Sequence, residues 1–145
     1  MLKKKINQNF IIISASLLLI IFTLEIFVRL IIDNGMNYDL EMMKYSKTLK
    51  LKSRDTNVGI EHKKNKEAVL MGQKIILNEY GFRNETPVSN DKKKILMLGD
   101  SMTFGWGSKE TFSSLLENKF GVNYQVLNAG IGNTNTIMQL SLIHI

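Results

Sequence analysis

The sequence contains no cysteine, one proline, one tryptophan and two histidines. Without cysteine there is no disulfide scaffold, no thiolate-ligated zinc site, no thiol nucleophile and no lipidated N-terminal cysteine. The absence does not fix a compartment. His62 and His144 are too few and too far apart in sequence to outline a metal site. Acidic residues are also in deficit: 19 Lys and Arg against 13 Asp and Glu leave a net charge of +6. The lysines fall mostly in the first two thirds of the chain and do not alternate with aromatic residues. A nucleic-acid surface is therefore not indicated, and a solvated or membrane-proximal face is the simpler reading.

Hydrophobic residues make up 44% of the 145 residues, and many of them are gathered near the N-terminus. From Phe10 to Leu24 no charged residue occurs, and apolar character continues to Ile32. Residues 10–32 are long enough for a helix to cross a bilayer. Glu25 and Arg29 stand four apart, so they can pair on one helical face. Lys3, Lys4 and Lys5 precede the span and predict a cytoplasmic N-terminus by the positive-inside rule. The competing reading is a cleaved signal peptide, which has a shorter apolar region and a small-residue cleavage site. No such site follows Leu24, so an uncleaved anchor is expected.

Four regions follow from this pattern: a basic tail at residues 1–9, an anchor at 10–32, a polar juxtamembrane segment at 33–67, and an α/β domain from 68 to 145. In the third, Met36, Tyr38, Leu40, Met42, Met43 and Tyr45 predict a short amphipathic helix packed locally. Lys44, Lys47, Lys50, Lys52 and Arg54 predict a solvated face, with His62 on the surface or in the lead-in to the domain. Next, Val69-Leu70-Met71-Gly72-Gln73-Lys74-Ile75-Ile76 predicts a β-hairpin. Asn78 to Arg83 read as a turn with aromatic anchors, and Asn84 to Lys93 as an exposed linker.

The chemistry is concentrated in Lys94-Ile-Leu-Met-Leu-Gly-Asp-Ser-Met-Thr-Phe-Gly-Trp-Gly107. Ile95 to Leu98 predict a strand covered on both faces. Gly99 permits an abrupt turn, and Asp100 and Ser101 then lie just past the strand's carboxyl end, where open α/β sheets place ligands. Asp-Ser after a strand is equally good helix N-cap chemistry, so the motif alone leaves cap and nucleophile both open. Thr111 predicts the next N-cap. Phe112, Leu115, Leu116 and Phe120 recur at helical spacing, Gly121 predicts the stop, and Tyr124 to Asn128 predict a second strand, parallel to the first. A second small-residue turn, Asn128 to Thr136, is expected beside the first, and Ile137, Met138 and Leu140 begin another helix. N–H groups from Ser101 and from the Gly132-Asn133 turn would then be able to point at one developing oxyanion.

Gly99-Asp100-Ser101 with Thr103-Phe104-Gly105-Trp106-Gly107 resembles the first conserved block of the SGNH (GDSL-type) hydrolase superfamily. Asn128-Ala129-Gly130-Ile131 with Thr136 resembles the second block. Asn78 and Gly81-Phe82-Arg83 resemble the lead-in of membrane-anchored bacterial members. The resemblance implies a three-layer αβα, flavodoxin-like domain of which this chain holds the first part, after a transmembrane helix. It implies an acyl-serine mechanism on ester bonds, glycan O-acetyl or lipid esters, with no cofactor, no metal and no nucleic-acid partner. By that resemblance Ser101 is the nucleophile, Gly99 and Asp100 shape its turn, and Ser101, Gly132 and Asn133 form the oxyanion hole. The bilayer, met through residues 10–32, is the other partner, and the domain lies outside the cytoplasmic membrane.

The family's Gly-x-Asn-Asp and Asp-x-x-His blocks do not occur in the sequence. His144 does not replace the latter, because the residue three before it is Ser141. Two parallel strands also leave sheet edges and apolar helix faces uncovered, so the reading frame is expected to continue past Leu140. The chain as it stands is expected to be inactive. The alternatives are a non-catalytic extracytoplasmic protein for glycan binding or assembly, and a nucleotide-binding α/β domain. The second is disfavoured because Gly130-Ile-Gly132 is followed by Asn135 where a dinucleotide fingerprint needs glycine.

Overall fold

The computed structural model describes residues 2–32 and 36–143, with the side chains of residues 2–6 excepted. The fold is mixed α/β and divides into two units, Met1–Asn37 and Tyr38–Ile145. In the first, helix α1 (Leu2–Phe27) runs on into a π-helical turn, Val28–Ile32. The stretch Asn7–Ile32 is long and apolar enough to cross a membrane, as an anchor or as a signal sequence. Its two charged residues pair as expected, with Arg29 Nε donating to Glu25 Oε1 at 2.6 Å.

The second unit begins at Tyr38, so the expected boundary at residue 68 moves thirty residues earlier. The segment read as juxtamembrane supplies α2 (Tyr38–Leu49), β1 (Lys50–Lys52) and β2 (Ile60–His62). Strands β1 and β2 pair antiparallel. The physical reason for the shift is burial: Tyr45 and Leu49 on α2 belong to the core. There they meet Leu70, Ile75 and Leu77 of the hairpin β3 (Lys66–Leu70) and β4 (Gln73–Leu77), together with Phe104. Each such side chain, fully buried, is worth roughly 1.5–3 kcal/mol. The hairpin turns at Met71-Gly72, both at positive φ, as a two-residue hairpin turn requires.

Strand β5 (Lys93–Met97) leads to the Gly-Asp-Ser turn and the single helical turn α3 (Ser101–Phe104). Helix α4 (Phe112–Phe120) follows, opened by a capping box between Thr111 and Ser114 and stopped at Gly121. Strand β6 (Tyr124–Asn128) pairs parallel to β5, Ile95 opposite Val126, and α5 (Thr136–Leu142) comes after the second turn.

The two edges of the β5–β6 pair differ. On the outer side of β6, Glu117 Oε2 accepts the Val126 N–H at 2.8 Å. Asn84 donates from Nδ2 to the Val126 carbonyl at 2.8 Å and accepts the Asn128 N–H at 3.0 Å. The Arg83 N–H donates to the Asn128 carbonyl at 2.9 Å. Side chains thus take the place of a neighbouring strand, and the segment read as an exposed linker begins as an edge cover. No strand pairs with the outer edge of β5 among the described residues. Leu96 on β5 is 42% exposed, which corrects the expectation of a strand covered on both faces.

Candidate active site

The first turn is built by close packing. A Cβ on Gly99 would lie 2.0 Å from Thr103 Oγ1, so the α3 turn can fold back on the end of β5 only over glycine. Asp100 is the N-cap of α3 and accepts the Met102 N–H through Oδ1 at 2.9 Å. The cap reading of Asp-Ser is therefore correct for Asp100. It leaves Ser101 as the first helical residue, whose N–H has no partner within the helix. Among the described residues neither the N–H nor the hydroxyl of Ser101 makes a hydrogen bond, while its carbonyl accepts from Gly105 and Trp106. Met102, next in sequence, points outward, and Phe104 is buried in the core. Ser101 is thus held by its neighbours on both sides and is itself unengaged.

The second turn lies against the first, as expected. The Ala129 N–H donates to the Met97 carbonyl at 2.9 Å and the Ile131 N–H to the Gly99 carbonyl at 3.0 Å. Asn128 Nδ2 donates to the Thr103 carbonyl at 2.8 Å. A Cβ on Gly130 would meet Phe104 N at 2.3 Å, and one on Gly132 would lie 3.7 Å from Ser101 Cβ. The glycines let the two backbones touch at the carboxyl end of the strand pair.

The three expected oxyanion donors do not behave alike. The Gly132 N–H donates to Tyr45 Oη at 3.0 Å, which removes Gly132 from the donor set. The N–H groups of Ser101 and Asn133 have no partner among the described residues. Asn133 sits at φ 61°, in the left-handed region that asparagine tolerates better than most residues. It lines a cavity of about 390 Å³ with Met42, Ser46, Lys50 and Lys52. Ser101 is not on that wall.

Sequence reasoning missed four residues that support these turns. Tyr45 accepts the Gly132 N–H and donates its own proton to His62 Nε2, 2.6 Å away. His62 Nδ1–H donates to the Gly81 carbonyl at 3.1 Å. Lys50 Nζ donates to the Gly132 carbonyl at 2.5 Å and stands over the Tyr45 ring. Arg83 donates from Nη1 to the Phe104 and Gly105 carbonyls at 2.8 and 2.5 Å, and from Nη2 to the Ser108 carbonyl at 2.7 Å. Lys50 is 9% exposed, His62 5% and Arg83 7%. The expectation of a solvated Lys50 and a surface His62 is therefore corrected: each has a carbonyl or hydroxyl partner inside the fold. His144 lies outside the described residues.

Burial sets the protonation of this group. Desolvation pushes the His62 imidazole down to about 4 and the Lys50 ammonium down to about 8. It raises the Tyr45 phenol well above its ordinary value and lowers Arg83. Near neutrality His62 and Tyr45 are neutral, and Lys50 and Arg83 carry charge. Two buried cations thus bear on the backbone around the paired turns, one on the Gly132 carbonyl and one on the carbonyls that close α3. Comparison with protein-family models and with curated proteins finds no match for this chain.

Proposed function

We propose that this chain carries the nucleophile and oxyanion donors of a membrane-anchored serine ester hydrolase of the SGNH type. The observation that supports the reading is that the second turn packs beside the first, a Cβ on Gly132 reaching 3.7 Å from Ser101 Cβ, while the N–H and hydroxyl of Ser101 make no hydrogen bond among the described residues. In this reading Ser101 Oγ attacks the carbonyl carbon of an ester, and a base takes its proton. The N–H groups of Ser101 and Asn133 meet the oxyanion. The alcohol then leaves with a proton, and water releases the acid from the acyl-serine. Glycan O-acetyl groups or lipid esters are the substrate classes. The parallel pair β5–β6 is read as part of a three-layer αβα, flavodoxin-like sheet. Residues 10–32 anchor the chain in the cytoplasmic membrane once, with Lys3, Lys4 and Lys5 inside and the α/β unit outside.

His62 is not the base in this reading, because both ring nitrogens are already occupied. The resembling family draws its base from an Asp-x-x-His block, which the sequence lacks. Turnover by these residues alone is therefore not expected, and stoichiometric labelling is the sensitive measurement. A fluorophosphonate should label the full chain in detergent, and Ser101→Ala should abolish the label. Label that persists in Ser101→Ala removes Ser101 as nucleophile. An unlabelled chain favours the non-catalytic, glycan-binding alternative.

A further inference from the structure

We infer that Tyr45 and Lys50 are positioning residues that lock the peptides before and after Gly132, and so fix the direction of the Asn133 N–H read above as an oxyanion donor. The inference rests on the serine-nucleophile reading and adds to it the residues that orient the oxyanion site.

The geometry runs through one glycine. Gly132 has no Cβ, so rotation about its two backbone torsions is intrinsically free. Here both flanking peptides are held. The peptide before it is fixed by its N–H on Tyr45 Oη at 3.0 Å, and the one after it by its carbonyl on Lys50 Nζ at 2.5 Å. The carbonyl of Gly132 and the N–H of Asn133 are opposite ends of one planar trans unit. Fixing the carbonyl on Lys50 therefore directs the Asn133 N–H away from Lys50, and it has no other partner among the described residues. An ammonium on the carbonyl also polarises the amide, which makes its N–H a stronger donor.

The direction of the Tyr45–His62 bond follows from the His62 tautomer. Its Nδ1–H is spent on the Gly81 carbonyl, so Nε2 is an acceptor. Tyr45 must then donate to Nε2, and its oxygen is left to accept from Gly132. The network joins α2, β1, β2, the Gly81 turn and the second turn, across 87 residues between Tyr45 and Gly132. The charged and titratable groups facing Lys50 are Tyr45 on α2, at 4.3 Å from ring centroid to Nζ, and His62 on β2, which feels its charge. The charge of Arg83 also acts on Tyr45. No carboxylate pairs with Lys50 among the described residues. With no counter-charge, the ammonium gives up its proton near pH 8, and the hold on the carbonyl weakens above that pH.

Two measurements on the full chain in detergent micelles test this. The first is the Gly132 carbonyl ¹³C shift between pH 6 and 10. It should titrate with a midpoint near 8 and be flat in Lys50→Met. The second is the rate of fluorophosphonate labelling. At pH 7, Lys50→Met should label about tenfold more slowly than the native chain, a fraction of the loss expected when an oxyanion donor is removed outright. The two rates should converge above pH 9. Tyr45→Phe keeps the ring in the core and should also slow labelling about tenfold, with no convergence at high pH. Trp106 fluorescence checks that each variant is folded, and Lys50→Gln replaces Lys50→Met if the latter is not. A labelled native chain matched in rate by these variants, or a Gly132 carbonyl that does not titrate, overturns the positioning role alone. A native chain that takes no label overturns the serine reading and this role together, even where the carbonyl titrates.

Discussion

His62 shows what burial does to a single side chain in this fold. Its imidazole is 5% exposed, bonded to Tyr45 and Gly81, and held neutral down to about pH 4. The main cause is desolvation, and the Lys50 charge adds to it, while the bond to the Gly81 carbonyl works the other way. In the unfolded chain the ring takes up its proton near its ordinary value of about 6.5. Between these two values the unfolded state binds more protons than the folded state, so stability must fall as pH falls through that window. The loss should total roughly 3 kcal/mol and be complete near pH 4. Denaturant unfolding at a series of pH values, read by the Trp106 emission, measures it. In His62→Gln the same series should show less acid destabilisation by that amount, with carboxylates responsible for what remains. Equal slopes for the two proteins would mean that His62 is not buried as a neutral base.

At the scale of elements, the short helix α3 depends on Arg83. Four residues make one helical turn, and the carbonyls at its C-terminal end have no partners further along the helix. Arg83 supplies them, with two bonds to Phe104 and Gly105 and one to Ser108, and its guanidinium stacks near the Phe104 ring. Arg83→Met should leave the Phe104 and Ser108 carbonyls without their donor, the Gly105 carbonyl keeping the Ser108 N–H, and cost roughly 3 kcal/mol, since bonds to charged groups are worth about 1.5–3 kcal/mol each and water can repair part of the loss. Chemical denaturation gives the stability. A cost below about 0.5 kcal/mol, the range of an ordinary surface substitution, would mean the turn holds itself.

Which elements the sequence reveals follows from how local their causes are. Helix α4 is legible because Thr111, the apolar stripe and Gly121 are all within ten residues, and β6 falls on Tyr124–Asn128 as read. The hairpin is legible for the same reason, and the contact of the two turns follows from the strand-helix-strand order, which makes β5 and β6 parallel neighbours. The support of the site is not. Lys50, His62 and Arg83 lie outside any periodic pattern, Tyr45 reads only as an apolar position of a short helix, and their partners are 17 to 87 residues away. A lysine inside a basic run carries nothing that marks it as buried; only the Gly132 carbonyl opposite it does. The partner of the Gly132 N–H is illegible for a related reason. Glycine in a small-residue turn marks a close approach, and the sequence does not say that the phenol of Tyr45 is what approaches.

For the whole molecule the open question is what Asn7–Ile32 does, since length and apolar character fit an anchor and a signal sequence alike. The two roles differ physically in what happens at the outer end of the apolar run. Signal peptidase needs small residues there, and this chain has Leu24, Glu25, Ile26, Phe27, Val28 and Arg29, with the Glu25–Arg29 pair bridging one helical face. A paired charge near the membrane interface is tolerated far better than an isolated one at the centre, so the span can keep these residues and stay in place. The expected outcome is a chain that keeps residues 10–32 and stays with membranes through alkaline carbonate washing. With the N-terminus inside, protease added outside intact cells should digest the unit Tyr38–Ile145 and spare a fragment of α1. Intact-mass measurement decides between the roles. A soluble product lacking the apolar run would make it a signal sequence, while protection of the whole chain from external protease would reverse the orientation drawn from Lys3, Lys4 and Lys5.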